Sequence, residues 1–417
     1  MSELKTILAR AEAQGLPAIL LLLLCVVGTI GAVPFSWPMG GFWLDAQEFA
    51  RSGRISSTFT PCGYPALLGL GVRIGGIVAV VAMQLLIYLI IIAAIYSVLR
   101  LLAIRPAPAL IGACVVGFHP ELLISIKKVW DTNITAAFLM LTCAILLAIL
   151  RKGLSPGRAL LTGVLWGLSV SVRPNFPVLI LPIAFAFWFA PSRSSRVRSL
   201  SAGVLLAVGA ATVSVISVAI AVHGSFYMPE NGPYNLYAGA NSFTEKALLE
   251  NLNAEPSIYP SLLAEGFSRD VNVYSSVLRP YYSRRAILYC RLHPFQTIKL
   301  VFLKLFTLLR PDTKIYPLAS AAGVVKTIEA LAVPCWLITL FVTRNNGWGI
   351  QDSLFLVFVL AYIAPFLATN SDPRFRIPLD VLVLTHTMYR IARSSPISSW
   401  AISNAGSTQN GLVRVAN

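Results

Sequence analysis

The sequence predicts an all-α polytopic membrane protein, and three observations support this prediction. Hydrophobic residues make up 56% of the 417 residues, charged residues only 12%, and the mean hydropathy is +0.74. A soluble domain carries about 25% charged residues. The apolar residues also form long uncharged runs, such as 16–33 and 74–99. Runs of about 20 apolar residues cross a bilayer as helices, because a helix satisfies its own backbone hydrogen bonds.

About ten segments are predicted to cross the membrane, and together they form a single membrane domain over residues 1–417. The first follows Lys5 and Arg10, as a signal peptide would. No small-residue cleavage pattern closes it, so we interpret it as a retained helix. The predicted spans are 16–33, 77–99, 108–126, 132–150, 159–172, 175–190, 199–222, 323–343, 351–369 and 377–393.

The basic residues predict the orientation of these spans. With the N-terminus inside, basic clusters such as 151–152 and 193–198 fall on every second loop, as the positive-inside rule requires. Two long segments then lie outside, 34–76 and 223–322, and the second holds most of the 14 tyrosines. We therefore expect a multi-pass protein of the inner (plasma) membrane with its chemistry on the extracytoplasmic side. Because the inner loops account for much of the net charge of +16, we expect membrane lipids and no nucleic acid as partners.

Part of the long outer segment has the pattern of an interfacial helix. Between Pro294 and Arg310, the residues Gln296, Lys299 and Thr307 share one face, and apolar residues fill most of the rest. Such a helix lies in the membrane interface with its cations toward phosphates, or it packs as a cap on the helix bundle. The pattern leaves both interpretations open.

Two carboxylates in the first outer segment are candidates for chemistry. Asp45 and Glu48 are three residues apart, so on a helix they share a face. Carboxylates just beyond the membrane can serve as a general base or hold a cation. The alternative is a surface pair in which Glu48 bridges to Arg51.

A rigid turn follows these acids. The run Thr60-Pro61-Cys62-Gly63-Tyr64-Pro65 holds two prolines and a glycine within five residues, which restricts the backbone. We expect this turn, and Tyr64 in particular, at the rim of a cavity. Cys62 and Cys290 both map to outer segments and could pair, although six cysteines do not make a disulfide scaffold in a chain of this length.

Ionisable residues also occur around the predicted loop between the third and fourth spans. His119 closes a predicted helix, and Asp131 precedes the next one. Such residues are costly at membrane depth and are often functional. A lone histidine is more often structural than catalytic, however, and Asp131 could instead be an acid favoured by the helix dipole. We find no metal-ligand cluster with sharp spacing in the sequence.

Arginines at the outer ends of helices are the third candidate group. Arg173 closes the fifth span, and Arg374 and Arg376 lie between the last two spans. The positive-inside rule does not explain arginine on this side, whereas a phosphate-bearing lipid ligand does, because guanidinium binds phosphate through paired hydrogen bonds. The alternative is that these side chains extend to lipid headgroups.

The order of these motifs resembles that of a known superfamily. Acids follow the first helix, a Pro-x-Gly-Tyr-Pro turn comes next, Gly167-Leu168 precedes Arg173-Pro174, and Arg-Phe-Arg-Ile-Pro at 374–378 opens the last helix. This pattern resembles the GT-C superfamily of integral membrane glycosyltransferases. The nearest group is the bacterial relatives of dolichyl-phosphate-mannose protein mannosyltransferase and of lipid A aminoarabinose transferase. Asn235, Tyr237 and Lys304 also look like features of this group.

The resemblance implies a fold, a reaction and roles for individual residues. The fold would be a GT-C-like bundle of about ten spans, with catalytic acids in 34–76 and helices in 223–322. The enzyme would move a sugar from a polyprenyl-phosphate donor to a hydroxyl of a glycan, glycolipid or protein acceptor, with inversion. The implied catalytic residues are Asp45 as base, Glu48 and Asp131. The implied carrier-phosphate residues are Arg374, Arg376, Arg173 and Lys304, and the implied cavity rim is Tyr64, His119, Asn235 and Tyr237.

Several points stay open at the level of sequence. Asp131 could position the acceptor or, with Asp45, hold a divalent cation such as Mg²⁺ or Mn²⁺. The chain departs from the superfamily pattern at Cys62, where relatives carry proline, and at Trp130, where they often carry serine. The alternatives are a lipid-linked polysaccharide polymerase or ligase, a secondary transporter and a non-catalytic scaffold. A transporter would often show two related halves, and we find no internal repeat.

Overall fold

The structure is a computed structural model of the chain, and its regular secondary structure is helical, with no β-strand in the part of the chain that it describes. The described residues are 19–31 without 21 and 30, 41–128, 130–191, 196–227, 229, 231–251, 254–309, 330–370 and 375–394.

The helices up to residue 223 form the first part of the bundle. Residues 19–31 are helical where they are described, and a 3₁₀ turn over Phe176–Leu179 leads into α7. The helices are α1 Gly41–Ser52, α2 Gly63–Leu101, α3 Pro106–Gly117, α4 Pro120–Ile124, α5 Thr132–Lys152, α6 Pro156–Val172, α7 Ile180–Phe189 and α8 Arg196–His223.

The remaining helices divide into a tyrosine-rich group and a final group. Short 3₁₀ turns lie at Glu255–Ser257, Ser276–Leu278 and Arg344–Asn346. The helices are α9 Asn231–Gly239, α10 Thr244–Asn251, α11 Ile258–Ala264, α12 Arg279–Leu292, α13 Pro294–Leu309, α14 Ala332–Val342, α15 Ile350–Ala368 and α16 Arg376–Ser394.

Four helices of the described chain are long and apolar enough to cross a membrane, as expected for a multi-pass membrane protein. These are α2, α5, the 200–223 part of α8 and α15. The bent pair of α12 and α13, whose axes meet at 108°, could add a fifth span. Helices also lie at the other predicted spans, but α3 and α14 are too short, and α16 is too polar, to meet the same criterion.

Helix α2 contains a break that divides it into a segment packed on α1 and a longer apolar segment. Gly75 and Gly76 leave helical geometry, and Gly76 has a φ of +62°, which glycine adopts without strain. The uninterrupted apolar segment therefore starts at Ile77, where the predicted second span begins. The segment before the break packs on α1 through Gly69, where a Cβ would overlap the backbone of Ala46.

Helices α6 and α8 pack closely through small residues. A Cβ at Gly163 would overlap the carbonyl oxygen of Ala207, and one at Gly167 would overlap that of Ala211. Small residues at regular spacing let helix backbones approach in membranes, where packing rather than hydrophobic burial drives association. This contact holds the end of α6, and therefore Arg173 after it, in a fixed position.

Residues 231–309, here called the tyrosine-rich module, have an apolar core of their own. Tyr237 and Tyr282 stack at 5.1 Å between ring centroids, with Leu248, Ile258 and Leu262 buried beside them. Glu265 organises the polar side, because it accepts hydrogen bonds from the hydroxyls of Tyr237 and Tyr281 and pairs with Arg285. The module is thus stabilised by contacts among its own residues.

Helix α13 turns its polar residues toward the protein. Lys299 bonds Glu245 at 2.6 Å, Gln296 bonds the same carboxylate, and Lys304 is buried. The exposed face is apolar instead, with Phe295 86% exposed and Phe302 66% exposed. The lysines are therefore held by protein groups, which matches a helix packed on the rest of the chain. Arg310 lies outside the described residues.

Candidate functional site

A cavity of about 570 Å³ lies where the bundle meets the tyrosine-rich module. Its walls come from five stretches of sequence, so it exists only in the folded chain. The charged and polar lining residues are Asp45, Ser57, Thr60, Asp131, Arg173, Asn175, Asn231, Asn235, Glu255 and Asn370. The aromatic lining residues are Phe42, Phe59, Trp130, Tyr234, Tyr274, Phe366 and Phe375.

Asp45 lies on α1 and is only 5% exposed. Its carboxylate accepts a hydrogen bond of 2.5 Å from the Thr60 hydroxyl, and the Tyr227 hydroxyl fixes the Thr60 carbonyl at 2.7 Å. Burial raises the pKa of Asp45 above its ordinary value of 3.8, the Thr60 bond lowers it, and the charge of Glu48 raises it. A carboxylate with a raised pKa takes a proton more readily than an exposed one does.

Glu48 does not line the cavity. Its carboxylate accepts hydrogen bonds from the backbone and hydroxyl of Ser56, at 3.0 and 3.1 Å, and so caps the loop after α1. Although it shares a helix with Asp45, its contacts are those of a residue that shapes the loop. Its influence on the cavity is electrostatic, through the pKa of Asp45.

Asp131 and Arg173 form a buried ion pair in the cavity wall. The Arg173 Nη2 and Nε atoms lie 2.7 and 2.9 Å from Asp131 Oδ2, and both residues are 6% exposed. Asp131 precedes α5 and Arg173 follows α6, so two helix ends meet at this pair. The guanidinium also lies over the Phe375 ring, 4.6 Å from its centre. A positive group is thus fixed beside the cavity by contacts on two sides.

Two of the predicted phosphate-binding residues lie away from the cavity. Arg376 binds the carboxylate of Asp380 at 3.0 Å and the carbonyl of Leu309 at 2.9 Å. Lys304 donates to the carbonyl of Leu367 at 3.0 Å. These cations are buried against protein groups, so they hold helices together. Arg374 lies outside the described residues.

Three of the four predicted rim residues also have structural contacts. His119 faces Asp380 at 3.3 Å and so joins the Arg376 network. The Tyr64 hydroxyl bonds Gln84 at 2.6 Å, and the Tyr237 hydroxyl bonds Ser261 at 2.6 Å. Asn235 is the fourth, and it lines the cavity.

Several cavity residues were missed at the level of sequence. Thr60 was part of the predicted turn, yet its bond to Asp45 spans 15 positions and has no sequence signal. Tyr234 and Tyr274 were visible only as members of a tyrosine-rich segment. Glu255 had no signal, because an acid in a polar loop is ordinary. Their convergence depends on the fold of the module.

The residues of the cavity do not form a metal site. Within the described chain, no group of three His, Cys, Asp or Glu residues is placed to hold a metal ion. Asp45 and Asp131 are the predicted ligands, but Arg173 already binds Oδ2 of Asp131. The donor set thus does not fit a protein-bound divalent cation.

The thiols of Cys62 and Cys290 are both free, so the two residues do not form a disulfide.

Comparison of the chain with protein-family models, with curated proteins and with solved structures gives no match. The resemblance to the GT-C superfamily therefore depends on the motifs and their order, and the function must be argued from the cavity.

Proposed function

We propose that this chain is a membrane glycosyltransferase of GT-C type. It would transfer a sugar from a polyprenyl-phosphate donor to an acceptor hydroxyl, with inversion at the anomeric carbon. The proposal includes a bundle of about ten spans with loop helices, placement in the inner membrane, and a cavity that opens on the extracytoplasmic side. Support for this sidedness comes from the basic clusters of the opposite loops.

One observation carries the proposal: a buried carboxylate of raised pKa and a buried arginine line the same cavity. Asp45 and Arg173 come from α1 and the end of α6, which are more than 120 residues apart in sequence. A base on one side and a fixed positive charge on another are what a displacement with an anionic leaving group needs. Asp131 then acts as a positioning residue that holds the Arg173 guanidinium through two hydrogen bonds.

The reaction would be a single displacement. An acceptor oxygen attacks the anomeric carbon, and its proton passes to the Asp45 carboxylate. The bond between that carbon and the phosphate oxygen breaks, and its electron pair leaves with the polyprenyl phosphate. Arg173 stabilises the negative charge that grows on the leaving group. Attack opposite the leaving group inverts the anomeric carbon, and no covalent enzyme intermediate forms.

The test is a transfer assay with the full chain in lipid nanodiscs. The donor is a polyprenyl phosphate carrying a radiolabelled sugar, and a membrane extract supplies acceptors. We expect the wild type to move label to a new product and Asp45→Asn to lose at least about 100-fold in rate, the range for removal of a general base. Asp270→Asn is the matched control, because Asp270 is exposed and lies outside the cavity lining.

Two outcomes would contradict the proposal. If Asp45→Asn transferred label as fast as Asp270→Asn does, Asp45 would not be the base. If label stayed on the carrier across a panel of donor sugars, the chain would be a transporter or would use another lipid-linked substrate. A product that grows by whole repeating units would indicate a polymerase.

A further inference from the structure

Part of the cavity wall is a cluster of three aromatic rings. Phe59, Tyr234 and Tyr274 lie with their ring centroids 5.3, 5.0 and 5.4 Å apart in the three pairs. Tyr234 is buried, whereas Tyr274 is 51% exposed. Tyr274 thus contributes an exposed ring to the cavity lining, and two neighbouring rings pack against it.

A carboxylate is fixed at the edge of this cluster. Glu255 Oε1 lies 2.8 Å from the Tyr234 hydroxyl and 3.5 Å from the Tyr274 hydroxyl. Burial, and then the charge of Glu255, raise the pKa of Tyr234 far above its ordinary value, so this phenol remains a donor. The same contacts keep the Glu255 carboxylate beside the rings and in the lining of the cavity.

Two amide side chains complete this wall. Asn231 and Asn235 both line the cavity. The backbone of Asn231 donates to the Phe59 carbonyl at 3.2 Å, which fixes this residue to the aromatic cluster. The side chain of Asn231 is therefore held beside the rings and contributes an amide to the lining of the cavity.

We propose that this wall binds a sugar ring of the acceptor, so that the acceptor is a glycan or a glycolipid. The apolar face of a sugar ring stacks on Tyr274 and Phe59, and its hydroxyls donate to Glu255, with the amides of Asn231 and Asn235 in the same wall. An aromatic face with a carboxylate and an amide at its edge matches a molecule that has one apolar face and a rim of hydroxyls. This inference names the acceptor class for the proposed transfer and therefore rests on the proposed function.

Position and charge favour the acceptor over the donor as the occupant. Phe59 is followed by Thr60, whose hydroxyl binds Asp45, so the backbone that carries the aromatic cluster also contacts the proposed base. Glu255 repels the donor phosphate, whereas the Arg173 guanidinium attracts it. In this arrangement the acceptor sugar lies on the aromatic cluster and the donor phosphate lies beside Arg173 in the same cavity.

The binding experiment uses the full chain in lipid nanodiscs and saturation-transfer-difference NMR. The probes are the methyl glycosides of glucose, galactose, mannose and N-acetylglucosamine, with a serine-containing peptide as the alternative acceptor. The variants are Tyr274→Ala, Tyr274→Phe and Glu255→Gln. Tyr259→Ala is the matched control, because Tyr259 is a 40% exposed tyrosine of the same module that lies outside the cavity lining.

We expect at least one glycoside to bind through the protons of one ring face. Tyr274→Ala should weaken this binding about tenfold, which corresponds to about 1.4 kcal/mol. Glu255→Gln should weaken it as well, while Tyr274→Phe and Tyr259→Ala should retain it. The proposal is overturned if no glycoside gives a signal that depends on Tyr274, or if only the peptide does.

A second readout separates this inference from the proposed function. Release of labelled sugar from the polyprenyl-phosphate donor, to acceptor or to water, reports on the chemistry alone. In the transfer assay, Tyr274→Ala should raise the KM for the acceptor about tenfold and leave the KM for the donor unchanged. If the donor turns over and Tyr274→Ala has no effect, only the proposed acceptor-binding role of the aromatic wall is refuted. If glycosides bind but no donor turns over, the proposed transferase activity is refuted and sugar binding by the aromatic wall is retained.

Discussion

Removal of Arg173 should destabilise the chain in two ways. The contacts of the arginine side chain are lost, and the buried carboxylate of Asp131 is left without a counter-charge. In Arg173→Met, the carboxylate of Asp131 loses both hydrogen bonds at Oδ2 while it remains 6% exposed. An uncompensated buried charge of this kind costs about 3–5 kcal/mol. Asp131→Asn in the same chain removes the charge, so the double variant should cost about 1–3 kcal/mol, the usual cost of buried polar groups that lose their partners.

The assay is equilibrium unfolding in detergent micelles, followed by tryptophan fluorescence. Trp166 is a suitable reporter, because its indole donates to the Phe176 carbonyl across the end of α6. We expect the double variant to be about 2 kcal/mol more stable than Arg173→Met, so the costs of the two single variants are not additive, as is usual for residues in contact. The exposed pair of Lys246 and Glu250 is the control, since such pairs contribute about 0–1 kcal/mol. Additive costs at Arg173 and Asp131, within about 0.5 kcal/mol, would refute the reasoning.

Two further predictions concern the base and the bundle. Glu48→Gln should move the acidic limb of the pH–rate profile to lower pH, because the charge of Glu48 raises the pKa of Asp45 and the base must be ionised to accept a proton. An unchanged acidic limb would show that the charge of Glu48 does not affect the pKa of Asp45. Gly167→Leu should force α6 from α8, since its Cβ would overlap the Ala211 carbonyl, and should lower the unfolding midpoint. Gly157→Leu, with open space around its Cβ, is the control, and equal midpoints would contradict this packing.

The helical class and one span boundary could be predicted from the sequence because they depend on local pattern. Uncharged apolar runs identify membrane helices regardless of their partners. The break at Gly75–Gly76 matches the predicted start of the second span, and glycine is a residue at which helices bend. The orientation of α13 was not predictable, since its pattern defines two faces without saying which one meets protein.

The candidate site was predictable only in part. Asp45, Asp131, Arg173 and Asn235, which the sequence offered as candidates, line one cavity. His119 and Arg376 do not, because both face Asp380, which is 261 positions from His119. Sequence spacing places a polar residue at a helix end, but the side on which its partner lies depends on how distant helices pack. For the same reason, the position of Glu255 in the cavity lining could not be predicted from the sequence.

The central claim is that Asp45 acts on a donor held in the same cavity, and a single-turnover measurement tests it most directly. Labelled polyprenyl-phosphate sugar is bound to wild type and to Asp45→Asn in nanodiscs, and excess acceptor extract is then added. The account predicts equal donor affinity and a rate of sugar release at least about 100-fold lower in the variant. Equal rates of release, with the donor bound equally well by both proteins, would contradict it.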